Sequence, residues 1–198
     1  MINPTSIFVR DFEESDIPFV INYWFHSPEG FVESIGADPK KMSSEEQMEK
    51  GLRSKVLQDR ELAVSKLNAL TITCDGKPIG FHVINPVVED DHGIFHAHIW
   101  EPAMRGQGVG MYSYPQALQI FMNRFNLKRI VFKTPIQNKG ALRVKEKLGI
   151  RCIGEEIIGF GIIREGTIAK VFELTCDEAR HLAGKEASSA AETIQTSP

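Results

Sequence analysis

His96 and His98 stand two residues apart in a β-prone run, Ile94 to Trp100. As a strand, that run would turn both imidazoles to one face with Ile94 and Trp100. A neutral imidazole can take a proton from a substrate near pH 7, which is the property a general base needs. His82 in an earlier run and Glu101 just past this one are weaker candidates for the same work. A His-x-His pair also suits a metal, with Asp91 or His82 as a third ligand, but none of these stands at a diagnostic spacing. The plain alternative for each histidine is a hydrogen-bonded residue of the core.

Immediately beyond lies Arg105-Gly106-Gln107-Gly108-Val109-Gly110. Glycines at 106, 108 and 110 let backbone N–H groups approach an anion closely, and a helix starting there would add partial positive charge. Arg105 brings a guanidinium matched to phosphate. The chemistry fits a diphosphate, although glycine-rich turns are also common without any ligand. A P-loop is excluded, since Gly110 is followed by Met111 and not by Lys with Ser or Thr. A dinucleotide-binding turn is excluded because the third glycine comes one position early and the segment sits mid-chain behind a hairpin.

Composition sets the frame for these residues. The chain has 198 residues, 42% hydrophobic and 25% charged, enough to bury a core without disulfides or a structural metal. A net charge of -3 argues against a nucleic-acid partner. No apolar run approaches the roughly 20 residues of a membrane span, so no membrane partner is expected. The N-terminus lacks the layout of a signal peptide. Cys74, Cys152 and Cys176 are unpaired in number and without motif spacing, which reads as small core thiols in a reducing, cytoplasmic setting.

The elements that must position the candidates can be read in order. Ile7 to Arg10 is β-prone; Ser15-Asp16 offers capping chemistry before the helical spacing of Ile17, Val20, Ile21 and Trp24. After a loop, Ser43 and Ser44 precede Glu46 and Gln47 at capping-box spacing and open a helix to about Leu57. Ala69 to Cys74 and Ile79 to Ile84 flank Asp75-Gly76-Lys77-Pro78, a hairpin pattern. The glycine segment leads into a helix with Leu118, Phe121, Met122 and Phe125 on one face. Arg129 to Thr134 reads as a strand, and Asn138 opens a helix stopped by Gly149. Cys152 to Ile158 and Ile168 to Thr175 read as strands. Residues 1–184 are expected to form a single domain. From Lys185 the chain is Ala, Ser, Thr and Glu, the composition of a disordered tail.

Ile99 to Gly110, with Pro102 before Arg105-x-x-Gly-x-Gly, resembles motif A of the GNAT superfamily of N-acetyltransferases. Some 28 residues on, Asn138 to Ile150 resembles that superfamily's second signature, an Asn opening a helix that contains Ala141 and ends at Gly149. The resemblance in element order runs from Ile7 to about Thr175. It implies an α/β (α+β) fold: a twisted mixed sheet of about seven strands flanked by about four helices, its two central parallel strands splayed. It implies acetyl-CoA as co-substrate, with pantetheine paired near Ile99 and Trp100. The diphosphate would rest on the backbone of Gly106, Gln107, Gly108, Val109 and Gly110 beside Arg105, and Asn138 would touch the pantetheine arm. His96 resembles a base in the arylalkylamine acetyltransferase branch, with His98 the alternate.

Lys145 stands where many members of the superfamily have a Tyr that protonates the departing thiolate. An ammonium there can give up a proton, bind a phosphate or simply be solvated; Tyr112 and Tyr114 are possible substitutes. The implied activity is acetyl transfer to a primary amine of unspecified identity, by a monomer or homodimer. A non-catalytic acyl-CoA-binding module is the alternative, and a metal-binding β protein on His96 and His98 a third reading.

Overall fold

The run Ala69–Cys74 is buried along nearly all its length, as a strand must be when helices cover both faces of its sheet. The computed structural model describes residue 3, residues 6–62 and residues 65–184; the tail expected from Lys185 lies outside them. Seven strands form one sheet: β1 (Ile7–Asp11), β2 (Ala69–Cys74), β3 (Lys77–Val88), β4 (His92–Ile99), β5 (Arg129–Pro135), β6 (Arg151–Ile158) and β7 (Thr167–Thr175), in the order β1-β2-β3-β4-β5-β7-β6. Neighbours run antiparallel except β4 and β5, which are parallel. A two-residue turn, Asp75 at φ 49 and Gly76 at φ 75, closes the β2–β3 hairpin in the left-handed geometry such turns require.

The helices are α1 (Ile17–Phe25), α2 (Phe31–Ser34), α3 (Glu45–Arg60), α4 (Val109–Phe125) and α5 (Lys139–Lys147), followed by α6 over 176–184. The expected count of four becomes six among the described residues. α2 is one turn long, too short to show a helical period, and α6 begins where β7 was expected to end. Ser44 and Gln47 form both bonds of the capping box that opens α3. Gly149, at φ 70, ends α5 in the left-handed conformation expected of it.

Alternation along the strands divides the core into two layers. Leu118, Phe121, Met122 and Phe125 of α4 are buried against Phe95, Phe132 and Phe172 on one face of the sheet. On the other, Ile17, Val20, Ile21 and Tyr23 of α1 and Val56 of α3 cover Ala69 and Phe81. Each such side chain, fully buried, contributes about 1.5–3 kcal/mol. Cys74 and Cys176 are half-buried but Cys152 is exposed, correcting the expectation of three core thiols. β6 is the sheet's outer strand, and seven of its eight residues face solvent.

One buried carboxylate ties α1 to the sheet. Asp16, 1% exposed, accepts two hydrogen bonds from the Arg10 guanidinium at 2.7 and 2.8 Å, one from Thr71 Oγ1 at 2.7 Å and one from the Glu13 backbone N–H at 2.9 Å. It was expected to cap α1; instead it joins β1, β2 and the turn before α1. Replacing Asp16 with Ala leaves those donors unpaired. Asp16→Ala should therefore lower stability by about 3 kcal/mol, read from the urea midpoint.

Candidate active site

The parallel pairing of β4 with β5 covers His92–Arg129, Gly93–Ile130 and Ile94–Val131, and stops there. Past Ile94 and Val131 the two strands diverge, the splay that the resemblance implied. Aromatic rings floor this gap on the α4 side: Phe95 and Phe132 lie 5.3 Å apart between centroids, with Tyr114 5.0 Å from Phe95. The free strand edges above that floor leave backbone N–H and C=O groups that an extended amide-bearing chain can satisfy.

The glycine segment forms the turn at the β4 end of the gap. Gly106 and Gly108 take φ of 75 and 90, conformations a side chain rarely adopts, and open space surrounds both. Gly108 caps α4 without any side-chain bond; the Met111 N–H turns back to the Gly108 carbonyl at 2.9 Å, and no side chain caps the N–H groups ahead of it. Gly110 serves a different purpose. A Cβ there would lie 2.9 Å from Val144 Cγ1, so this glycine lets α5 pack close against α4. Gln107 is exposed at the turn's tip and Val109 is buried beneath it.

Arg105 donates from Nε to the Ile99 carbonyl at 2.9 Å and from Nη2 to the Trp100 carbonyl at 3.2 Å, with its guanidinium 4.1 Å over the Phe31 ring. It thus fastens the end of β4 to α2. The Trp100 N–H donates to Ile79. Asn138 caps α5, its Oδ1 accepting from the Ala141 N–H at 3.1 Å. The sequence anticipated that Asn138 opens α5, but not the bonds that Arg105 makes.

His96 and His98 share the face of β4 that looks toward α1. His96 Nε2 lies 3.0 Å from the Asn85 carbonyl, which can only accept, so Nε2 carries the proton and a neutral ring keeps its Nδ1 lone pair free. Burial pushes its pKa below the usual histidine value, with the Asn85 bond opposing. His98 lies deeper: Nδ1 is 3.1 Å from the Tyr23 hydroxyl, and the ring stacks on Phe81 at 4.7 Å and meets Trp24 at 5.0 Å. Burial first, then the neighbouring histidines and Lys145, lowers its pKa to about 3, too weak a base for work at neutral pH. Tyr23 and Asn85, the partners that distinguish the two, are remote in sequence and carry no motif. Glu101 caps the short turn at Pro102–Met104 through the Ala103 N–H. Among the described residues no three of His, Cys, Asp and Glu converge on one point.

On the opposite face, the floor of the gap holds a polar cluster. Lys145, 5% exposed, reaches from α5 to the Tyr114 hydroxyl of α4 at 3.2 Å, its Nζ 5.5 Å from the centroids of both Tyr114 and Phe132. The solvated reading of Lys145 is thereby excluded. Burial lowers its pKa to about 7. His82 sits beside Tyr114, fully buried, with neither ring nitrogen hydrogen-bonded, and burial then Lys145 lowers its pKa to about 3. Tyr112 lies apart, against Ile7, Ile72 and Val109.

Residues 26–44 span the mouth of the gap. Phe31 holds the β4 end through Arg105, and Gly36, at φ 100, packs on Pro135 at the β5 end, where a Cβ would lie 2.8 Å from Pro135 Cγ. The far side is pinned to the β6–β7 loop: the Asp38 N–H donates to Ile162 at 2.7 Å, and Lys41 Nζ donates to the Ile163 carbonyl at 2.9 Å and to Glu165 at 2.6 Å. Trp24, Glu29, Glu33 and Met42 line a groove in this segment.

Burying an amine without a carboxylate has a cost that depends on pH. The folded pKa of Lys145, about 7, lies below the unfolded value of about 10.4. Between them the unfolded chain holds a proton that the folded chain has lost, so stability rises with pH across that window and the penalty is greatest below about pH 7. Lys145→Met should raise stability by about 2 kcal/mol near pH 6 and by much less near pH 10, measured by denaturant titration at both pH values.

Comparison with known proteins agrees with this geometry. A family model described as an acetyltransferase (GNAT) domain matches residues 6–151. Comparison with curated proteins gives no match. Among solved structures, RimL, a ribosomal L7/L12 alpha-N-protein acetyltransferase solved with coenzyme A, is 15% identical over 88% of this chain and 96% of its own, with a TM-score of 0.68. Spermidine N-acetyltransferase from Vibrio cholerae, solved with CoA and spermine, is 16% identical over 89% and 99% with a TM-score of 0.68. An aminoglycoside acetyltransferase solved with coenzyme A is 16% identical over 89% and 98%, with a TM-score of 0.65. With its splayed central strands, left-handed glycine turn and family match over most of its length, the chain belongs to the GNAT acetyltransferase family.

Proposed function

We propose that this protein transfers the acetyl group of acetyl-CoA to a primary amine, the two substrates meeting in the gap between β4 and β5. The observation that carries the reading is the divergence of those strands after Ile94 and Val131, directly beside the uncapped start of α4. The open glycine turn fits the cofactor's diphosphate because Gly106 and Gly108 put no Cβ into the open space beside it, so an anion can come close to the backbone N–H groups of 106 to 110. Arg105 would add its charge from the end of β4, the edge near Ile99 and Trp100 would pair the pantetheine amides, and Asn138 would flank that arm. Bound acetyl-CoA supplies an activated thioester.

His96 is the general base in this reading. Its Nδ1 lone pair is free while Nε2–H is held by Asn85, so the ring is oriented and ready to accept the amine's proton. His98 has the alternate position but is clamped among Tyr23, Trp24 and Phe81. Lys145, below the gap, returns a proton to the departing sulfur. Similar proteins bear on the acceptor: one is named for spermidine and one for a protein N-terminus. Glu29 and Glu33, in the groove across the mouth, favour a cationic amine.

The test is coenzyme A release from acetyl-CoA over a panel of amines, alongside calorimetric binding of acetyl-CoA. Gly108→Asp, which adds a side chain at φ 90 and a negative charge at the anion site, should abolish binding. His96→Ala should keep binding and lower kcat/KM by about 10²–10⁴. Tight binding with no turnover on any amine would instead identify a non-catalytic acyl-CoA module. The pH profile separates the two proton carriers. With the pKa of His96 lowered, the base is already free on the acid side of neutrality, whereas Lys145 loses its acid form as pH rises through about 7. The wild-type kcat profile should therefore fall on the alkaline side, and Lys145→Arg, whose guanidinium stays charged and cannot give up a proton at any accessible pH, should lower kcat and remove that fall.

A further inference from the structure

Lys145 is unlike the other lysines of the described chain that the structure shows in ion pairs. Lys41, Lys66 and Lys133 each face a carboxylate. Lys145 has the Tyr114 hydroxyl as its hydrogen-bond partner and two aromatic faces around it. The titratable groups that approach it are His82 from β3, His96 and His98 from β4 and Tyr114 from α4; none brings a negative charge. Its place is equally specific. Phe132, under Nζ, is the β5 residue just after the last parallel pair, Ile94–Val131. The amine therefore lies where the strands part, at the floor of the gap that the proposed function gives to the thioester.

An amine that is desolvated, without a counter-charge and held beside an acyl donor is a nucleophile as well as an acid. We propose that Lys145 is a self-acetylation site, modified by acetyl-CoA bound to the same chain when no acceptor amine is present. The inference rests on the acetyl-CoA reading above. Nζ of the neutral lysine forms a bond to the acetyl carbon, the carbon–sulfur bond breaks with its electron pair going to sulfur, and the proton lost from nitrogen passes to the thiolate. The products are Nζ-acetyl-lysine and free coenzyme A; no oxidant, reductant or further reactant is needed. The amide is stable, so the step occurs once. It ends the capacity of Lys145 to give up a proton and adds bulk to the floor of the gap.

The experiment is incubation of the full-length protein with acetyl-CoA and no amine, followed by intact-mass measurement and peptide mapping, with acetyl-CoA binding measured separately by calorimetry. The expected result is one added acetyl group per chain, mapped to Lys145, with the other lysines modified at least about tenfold more slowly. Lys145→Arg, and Gly108→Asp with its fold checked by circular dichroism, should both lack the modification. The same protein in denaturant should acetylate without preference. If acetyl-CoA binds and amines are turned over while Lys145 stays unmodified, self-acetylation is overturned and the proposed function stands. Modification scattered over exposed lysines overturns it too. Absence of acetyl-CoA binding overturns both.

Discussion

A parallel pair of strands that stops after three residues is the constraint on which the rest of this molecule depends. Strands in a sheet normally satisfy each other's backbone groups along their length. Here β4 continues from Phe95 to Ile99 beside β3 alone, and β5 beyond Val131 beside β7 alone. The antiparallel partners on the outer sides hold both strands in place while their inner edges part. Tyr114, Phe95 and Phe132 fill the space beneath, so the gap has a solid floor and remains open above.

Around that gap, polar groups are placed where they weaken the fold. Lys145 and His82 are buried among aromatic rings without a counter-charge. The other buried charge among the described residues, Asp16, is satisfied by four donors. The contrast between a saturated carboxylate under α1 and a nearly bare amine under the gap separates structural from functional demands. Gly110 belongs to the same design, since the close approach of α4 and α5 is what carries Lys145 under the strands.

Local order was legible to a large degree. Capping chemistry at Ser44, the Asp75-Gly76 turn, the apolar face of α4 and the stop at Gly149 each rest on interactions within a few residues, and each stands where its residues indicate. Helices of one turn, such as α2, were not, because they carry little periodicity; the strand from Cys152 to Ile158 was read, but not its place at the sheet edge, which exposes Cys152. For the site, Gly106 and Gly108 were recognisable from type and spacing. The engagement of Arg105 with Phe31, and of His98 with Tyr23, was not, since those contacts join segments distant along the chain.

The sequence by itself determined which residues stand together near β4 and that α4 begins on glycine; backbone stereochemistry and period suffice for that. It left Lys145 equally suited to solvent, phosphate or proton transfer. Only the tertiary structure decided among these, because the protonation of an amine depends on the rings and dipoles packed around it. Those rings come from α4 and β5, and only the meeting of the elements places them there.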